Sequence, residues 1–235
     1  IIGERTRYVS GVLDSEKYGG DPSPMTAYGV LVGIRQAARY RWQTDLSGIR
    51  VAIQGVGNVG YHLARMLVEE GACVTVADIR EDNLKRVQSE LNVEVVSIDQ
   101  ILSAEVDVLS PCALGGAVSE TTVRQVKAGI VAGAANNQLA KASVGRALRD
   151  RGILYAPDYV INAGGIIDVY YQRCGERSGD VVNRHIAGIG TTLETVFRLA
   201  DEQRRPTCQI ADEMAEKIFR NAGKEAAQLT QYAYN

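Results

Sequence analysis

Two apolar periods alternate along the chain. Val30, Leu31, Ile34, Ala37 and Ala38 recur at helical spacing and predict a helix from Met25 or Thr26 to about Tyr40. Residues 49–54 carry an apolar run (Val51, Ala52, Ile53) that reads as a strand. A glycine-rich turn follows, then helical spacing again (Val59, Leu63, Met66, Leu67), then a second strand over 73–78. Beyond it the pattern predicts a helix at 81–91, a strand at 93–97, and a brief helix at 100–103 capped by Asp99. A strand at 106–110, a helix at 120–127 and a small apolar strand at 130–134 come next. A helix at 139–151, a strand at 153–156 and a loop at 160–165 complete the alternation. Residues 165–173, 181–203 and 207–232 read as three helices with no strand between them, expected to reach toward a further domain or else to cover the sheet. Residues 6–12 read as extended and 14–24 as loop. Strands and helices that alternate in this way predict an α/β, Rossmann-like doubly wound parallel sheet with additional C-terminal helices.

The stretch 51–78 carries the chemistry. Gly55, Gly57 and Gly60 form G-x-G-x-x-G after a strand and at the opening of a helix, and Asp78 ends the next strand. Gly55 permits a tight turn. Gly57, lacking Cβ, lets a pyrophosphate approach backbone N–H groups at the positive end of a helix dipole, and Gly60 permits close packing of helix on strand. A carboxylate at Asp78 would accept hydrogen bonds from both hydroxyls of an adenosine ribose and repel a 2′-phosphate, which favours NAD over NADP, although Arg80 lies close by.

Composition narrows the class. The chain has 235 residues, 46% hydrophobic and 23% charged, with a net charge of −2 and no basic block, so neither nucleic acid nor an anionic membrane is indicated. Four cysteines without C-x-x-C spacing suggest reduced thiols and a cytoplasmic setting, and two distant histidines give no metal site. The chain opens on Ile1 rather than Met, which reads as the continuation of something larger.

Ligands in such sheets bind outside the carboxyl ends of the strands. This rule selects Ser110–Gly116, Gly133–Gln138 and 162–165, where small residues admit a flat ring. There Asn136, Asn137 and Asn162 can hydrogen-bond a carboxamide or a carboxylate, or simply serve their turns. Cys112 reads as a buried thiol rather than a nucleophile, His62 as a packing or surface residue, and Thr26 as a helix-start residue. No proton-transfer residue is evident. Lys141 starts a helix, and Asp158, a conceivable acid, follows Pro157 in a loop.

Four segments together, GDPSPMTAYGV (20–30), QGVGNVGYHLARML (54–67), PCALGG (111–116) and APDYVINAGG (156–165), resemble the Glu/Leu/Phe/Val dehydrogenase family. They are most similar to its leucine dehydrogenase branch. The resemblance runs over essentially the whole chain. It implies NAD-dependent oxidative deamination of an L-amino acid (leucine, valine or phenylalanine type) to a 2-oxo acid, ammonia and NADH, in a cleft between two domains of a homo-oligomer. It also implies that Gly55, Gly57, Asn58, Val59 and Gly60 hold the pyrophosphate and Asp78 the ribose, with Val56 and Ile79 also binding the cofactor. Thr26 and Asn162 would orient the nicotinamide amide, and Cys112 and Ala113 would line the cofactor cleft. The third glycine is often alanine in that branch, an exchange expected to change little.

Residues 1–22 then read as a remnant of an N-terminal substrate domain, 23–180 as the NAD-binding domain, and 181–235 as C-terminal helices. The family's catalytic lysine and aspartate belong to the N-terminal domain. The chain is therefore expected to hold no catalytic residue of its own, and to bind NAD without turnover. Glutamate dehydrogenase and a non-catalytic nucleotide sensor are the competing readings. For the first, the apolar positions Ile186, Ile189, Leu193 and Val196 bear on substrate choice, either as an aliphatic pocket or as plain helix core.

Overall fold

A computed structural model describes Arg5 and residues 20–175 and 178–233. The extended segment expected at 6–12 lies outside the described residues. The elements run α1 (Ser23–Trp42), β1 (Arg50–Gln54), α2 (Asn58–Glu69), β2 (Cys73–Ala77), α3 (Glu81–Glu90), β3 (Glu94–Val95), α4 (Ile98–Ile101) and β4 (Val108–Pro111). After a 3-10 turn at Thr122–Arg124 come β5 (Ile130–Val131), α5 (Ala142–Asp150), β6 (Leu154–Tyr155), α6 (Asp158–Ile161), α7 (Gly164–Arg173), α8 (Gly179–Gln203) and α9 (Thr207–Ala233).

The six strands form one parallel sheet in the order β3-β2-β1-β4-β5-β6. Winding reverses beside β1, whose Gln54 registers with Ala77 of β2 on one side and Pro111 of β4 on the other. Alternate residues of each strand serve opposite faces. Val51, Ile53, Val108 and Ile130 join a core shared with α1, α2 and α8, whereas Ala52, Leu109 and Val131 join a second core with α4 and α5. Both faces are covered, as an all-parallel sheet requires.

Local chemistry explains where the elements depart from the periodicity. Helix α1 begins at Ser23, earlier than expected, because Pro24 sits in a first turn that needs no N–H acceptor and the Asp21 carboxylate accepts the Ser23 N–H at 2.9 Å. Donation from the Ser23 hydroxyl, together with its amide, holds the Asp21 carboxyl below its ordinary pKa. The helix expected at 120–127 shrinks to one 3-10 turn. Thr122 Oγ1 accepts the Ser119 N–H at 2.8 Å and donates to the Ala117 carbonyl at 2.7 Å, which competes with helical bonding. Helix α5 starts later than expected because Leu139 bridges Val118 in parallel pairing. Asp99 lies inside α4, and Ser97 occupies the N-cap position in its place.

The loop expected at 160–165 is largely helical. A Cβ on Gly164 would lie 2.0 Å from the Met25 carbonyl oxygen, and one on Gly165 would lie 2.4 Å from Thr26 Oγ1, so this glycine pair is a contact surface for α1. On α8, Ile186, Ile189, Leu193 and Val196 are buried against the sheet-side core, which settles them as packing and not as a pocket. Among the described residues no helix is long and apolar enough to cross a membrane.

Candidate functional site

The site begins where β1 stops. Gly55 turns the chain with φ +95°, and its N–H donates to the Ala77 carbonyl at 2.7 Å. Gly57 is the N-cap of α2, and the first N–H groups of that helix have no acceptor within it. A Cβ on Gly57 would meet nothing within 4 Å, so the backbone there is open to a bulky anion. Gly60 is the opposite case. A Cβ on it would fall 2.0 Å from the Gly55 carbonyl oxygen, and alanine is not a neutral replacement in this chain as the resemblance suggested.

Asp78 faces this turn. Its Oδ2 accepts the Val56 N–H at 2.8 Å and the Asn83 side-chain amide at 3.0 Å, and its Oδ1 accepts the Arg80 N–H at 2.8 Å. A carboxylate offers about four lone-pair positions. Three of them are occupied in this structure, by the Val56, Asn83 and Arg80 donors. Val56 is likewise scaffold: its N–H is committed to Asp78 and its side chain is 3% exposed. Asn83, which the pattern did not single out, is the missed residue. An amide in the first turn of the helix after an acidic strand end was the available signal.

Asp78, Ile79 and Ala113 line one cleft of about 270 Å³ together with Gln54, Gly55 and Leu114. Its size suits part of a dinucleotide, since pockets for drug-sized ligands span roughly 300–1,000 Å³. Its walls come from β1, β2 and the segment after β4, which is the switch point of the sheet. Ile79 and Leu114 stand out at 84% and 83% exposure, an apolar pair at its mouth. Cys112 lies beneath the turn, its Cβ 3.5 Å from where a Gly60 Cβ would be, and burial pushes its thiol pKa up. It is packing, not a nucleophile. Asn58 and Val59 open α2, the first exposed and the second packed on the core.

Thr26 and Asn162 belong to a second locality. Thr26 donates its hydroxyl to the Pro22 carbonyl at 3.0 Å and faces Gly165. Asn162 Nδ2 donates to the Ala134 carbonyl at 3.0 Å and to Asn136 Oδ1 at 2.7 Å, which joins the loops after β5 and β6. Asn137 has φ +53°, so it serves its turn. Asp158 is 7% exposed, accepting from Tyr155 Oη at 3.1 Å and from the Gln138 N–H at 3.3 Å. It anchors the Gly133–Gln138 loop and is not an available acid. Lys141 stands at the N-cap position of α5 and pairs with Glu120. Burial depresses the pKa of His62, whose Nδ1 is buried without a partner.

A larger hollow of about 490 Å³ lies at the other edge of the sheet. There Arg41 donates to the Gly152 carbonyl and Arg149 to the Arg205 carbonyl, work that caps helix ends and loops. Volume does not decide the site; the open amides and the carboxylate do.

Comparison with known proteins agrees with this geometry. The profile of the Glutamate/Leucine/Phenylalanine/Valine dehydrogenase family matches residues 20–81 and 75–183. The leucine dehydrogenase of Bacillus subtilis (strain 168) is 39% identical over 236 aligned positions, covering 100% of this chain and 65% of that protein. An L-tryptophan dehydrogenase of Nostoc punctiforme is 41% identical over 223 residues, covering 94% of this chain and 62% of its own. The crystal structure of the L-tryptophan dehydrogenase from Nostoc punctiforme superposes with a TM-score of 0.82 at 40% identity, covering 86% of this chain and 61% of that one. Glutamate dehydrogenase from Peptoniphilus asaccharolyticus shares the fold, with a TM-score of 0.68 at 22% identity over 89% of this chain and 56% of that one. The chain spans from 59% to 65% of the length of the leucine dehydrogenases it matches. On this evidence the chain belongs to the glutamate/leucine/phenylalanine/valine dehydrogenase family.

Proposed function

We propose that this chain is the NAD-binding part of an enzyme that oxidatively deaminates an aliphatic or aromatic L-amino acid to its 2-oxo acid, releasing ammonia. The observation that carries the reading is the pairing of an open backbone at Gly57 with the Asp78 carboxylate lodged against the same turn. The amides that open α2 would hold the pyrophosphate, because unpaired N–H groups and the helix dipole both favour negative charge. Asp78 would hold the ribose, and its charge would repel a 2′-phosphate. Ile79, Leu114 and Ala113 would flank the adenosine end, while Thr26 and Asn162 would orient the carboxamide. The nicotinamide supplies a hydride acceptor; the chain supplies position.

The proton that leaves as hydride transfers needs its own acceptor. Lys85, Lys127 and Lys141 are engaged with Glu81, Glu105 and Glu120 on the surface, so we assign that role to none of them. The leucine and L-tryptophan dehydrogenases near 40% identity support the aliphatic or aromatic class over glutamate. The test is NADH formation by the whole enzyme of which this chain is proposed to be the NAD-binding part, with L-leucine, L-phenylalanine, L-tryptophan and L-glutamate. Turnover of one of the first three in preference to glutamate is expected; glutamate preference, or no deamination of any, contradicts the reading.

A further inference from the structure

The contact between Asn162 and Asn136 has a direction. The Ala134 carbonyl can only accept, so the atom of Asn162 facing it at 3.0 Å must be the amide nitrogen. The same nitrogen lies 2.7 Å from the Asn136 side chain, which must then present its oxygen. Both N–H bonds of the Asn162 amide are thereby spent within the protein. Its oxygen, on the far side of the amide carbon, is what Asn162 retains for a ligand. One tether would leave the amide plane free to swing; two acceptors of the loop after β5, a backbone carbonyl and a side-chain oxygen, fix it.

We propose that Asn136 is a positioning residue, which locks Asn162 as a hydrogen-bond acceptor and so tunes this locality to a ligand that brings an N–H donor, such as a ring carboxamide. The inference rests on the nucleotide reading above. Asn136 is exposed, and its substitution removes no core contact. The experiment measures binding of NADH and of ADP-ribose, which lacks the nicotinamide ring, to the wild type and to Asn136→Ala and Asn136→Asp variants. Loss of one neutral hydrogen bond's worth of ordering should weaken NADH binding about three- to tenfold in Asn136→Ala. ADP-ribose affinity should be unchanged, and Asn136→Asp, which still accepts from Asn162, should restore NADH binding.

Equal weakening of both ligands, or no weakening of either, overturns the inference while the nucleotide site stands. Failure of Asn136→Asp to restore NADH binding overturns it as well. Absence of saturable binding of either ligand by the wild type overturns the nucleotide reading itself.

Discussion

The Val56 amide donates to Oδ2 of Asp78 across 2.8 Å, so the residue proposed to grip a ribose also fixes the turn proposed to hold a diphosphate. The two parts of the proposed nucleotide site are mechanically one. A change at Asp78 therefore reaches the phosphate turn without touching a glycine.

Asp78→Asn is expected to weaken NADH binding by about tenfold or more, since hydrogen bonds to charged groups are worth about 1.5–3 kcal/mol. The same change should narrow the difference between NADH and NADPH, because the repulsive charge is gone. Fluorescence titration with both cofactors checks it. An unchanged ratio would detach cofactor choice from Asp78.

Two alanine substitutions in the same turn should fail differently. At Gly60 the new methyl meets the Gly55 carbonyl oxygen at 2.0 Å, and overpacking of this kind costs about 1–3 kcal/mol, so Gly60→Ala should unfold at lower denaturant. At Gly57 nothing lies within 4 Å, so Gly57→Ala should keep wild-type stability yet lose nucleotide affinity. Denaturation midpoints beside binding constants separate the pair. Equal stability loss in both would contradict the assignment.

Alkaline pH should expose Tyr40. Burial, with the Asp201 carboxylate that accepts its hydroxyl at 2.8 Å, pushes this phenol up to about 12. An unfolded tyrosine titrates near 10, so the unfolded chain loses its proton first, and stability intact below about pH 10 falls as pH climbs toward 12. Tyr40→Phe keeps the ring packed 5.3 Å from Phe197 and should flatten that decline. Tyr155 and Tyr159 shift in the same direction, so part of the slope should persist. Urea midpoints at about pH 9 and about pH 11 measure it.

Thiol chemistry gives a separate check. Cys73 and Cys174 are exposed, whereas burial raises the pKa of Cys112 and of Cys208. Alkylation of the native protein should mark Cys73 and Cys174 first and leave Cys112 unmodified until denaturation, as peptide mass mapping would show. Early labelling of Cys112 would place it in an open, activating environment, contrary to the packing seen under Gly60.

How much of this was legible in the residues depends on how local each signal is. The turn at Gly55–Gly60, the acid at Asp78 and the alternation that builds the sheet rest on contacts within one strand-turn-helix-strand unit, and short-range spacing carries them. What escaped depends on distant partners. Gly164 and Gly165 look like loop glycines until Met25 and Thr26 are placed against them. Asp158 looks like an available acid until Tyr155 and Gln138 close over it. Asn83 looks like an ordinary helix residue until its amide is found on Asp78, and Thr122 ends a promising helix through its own hydroxyl. Periodicity reports which face a residue takes; it does not report which neighbour that face will meet.

The most direct measurement is calorimetric titration of the chain with NADH and NADPH under identical conditions. Saturable NADH binding, with NADPH weaker by about tenfold or more, is predicted from a carboxylate that would face a 2′-phosphate. Failure of NADH to bind, or equal affinity for the two, would contradict the account.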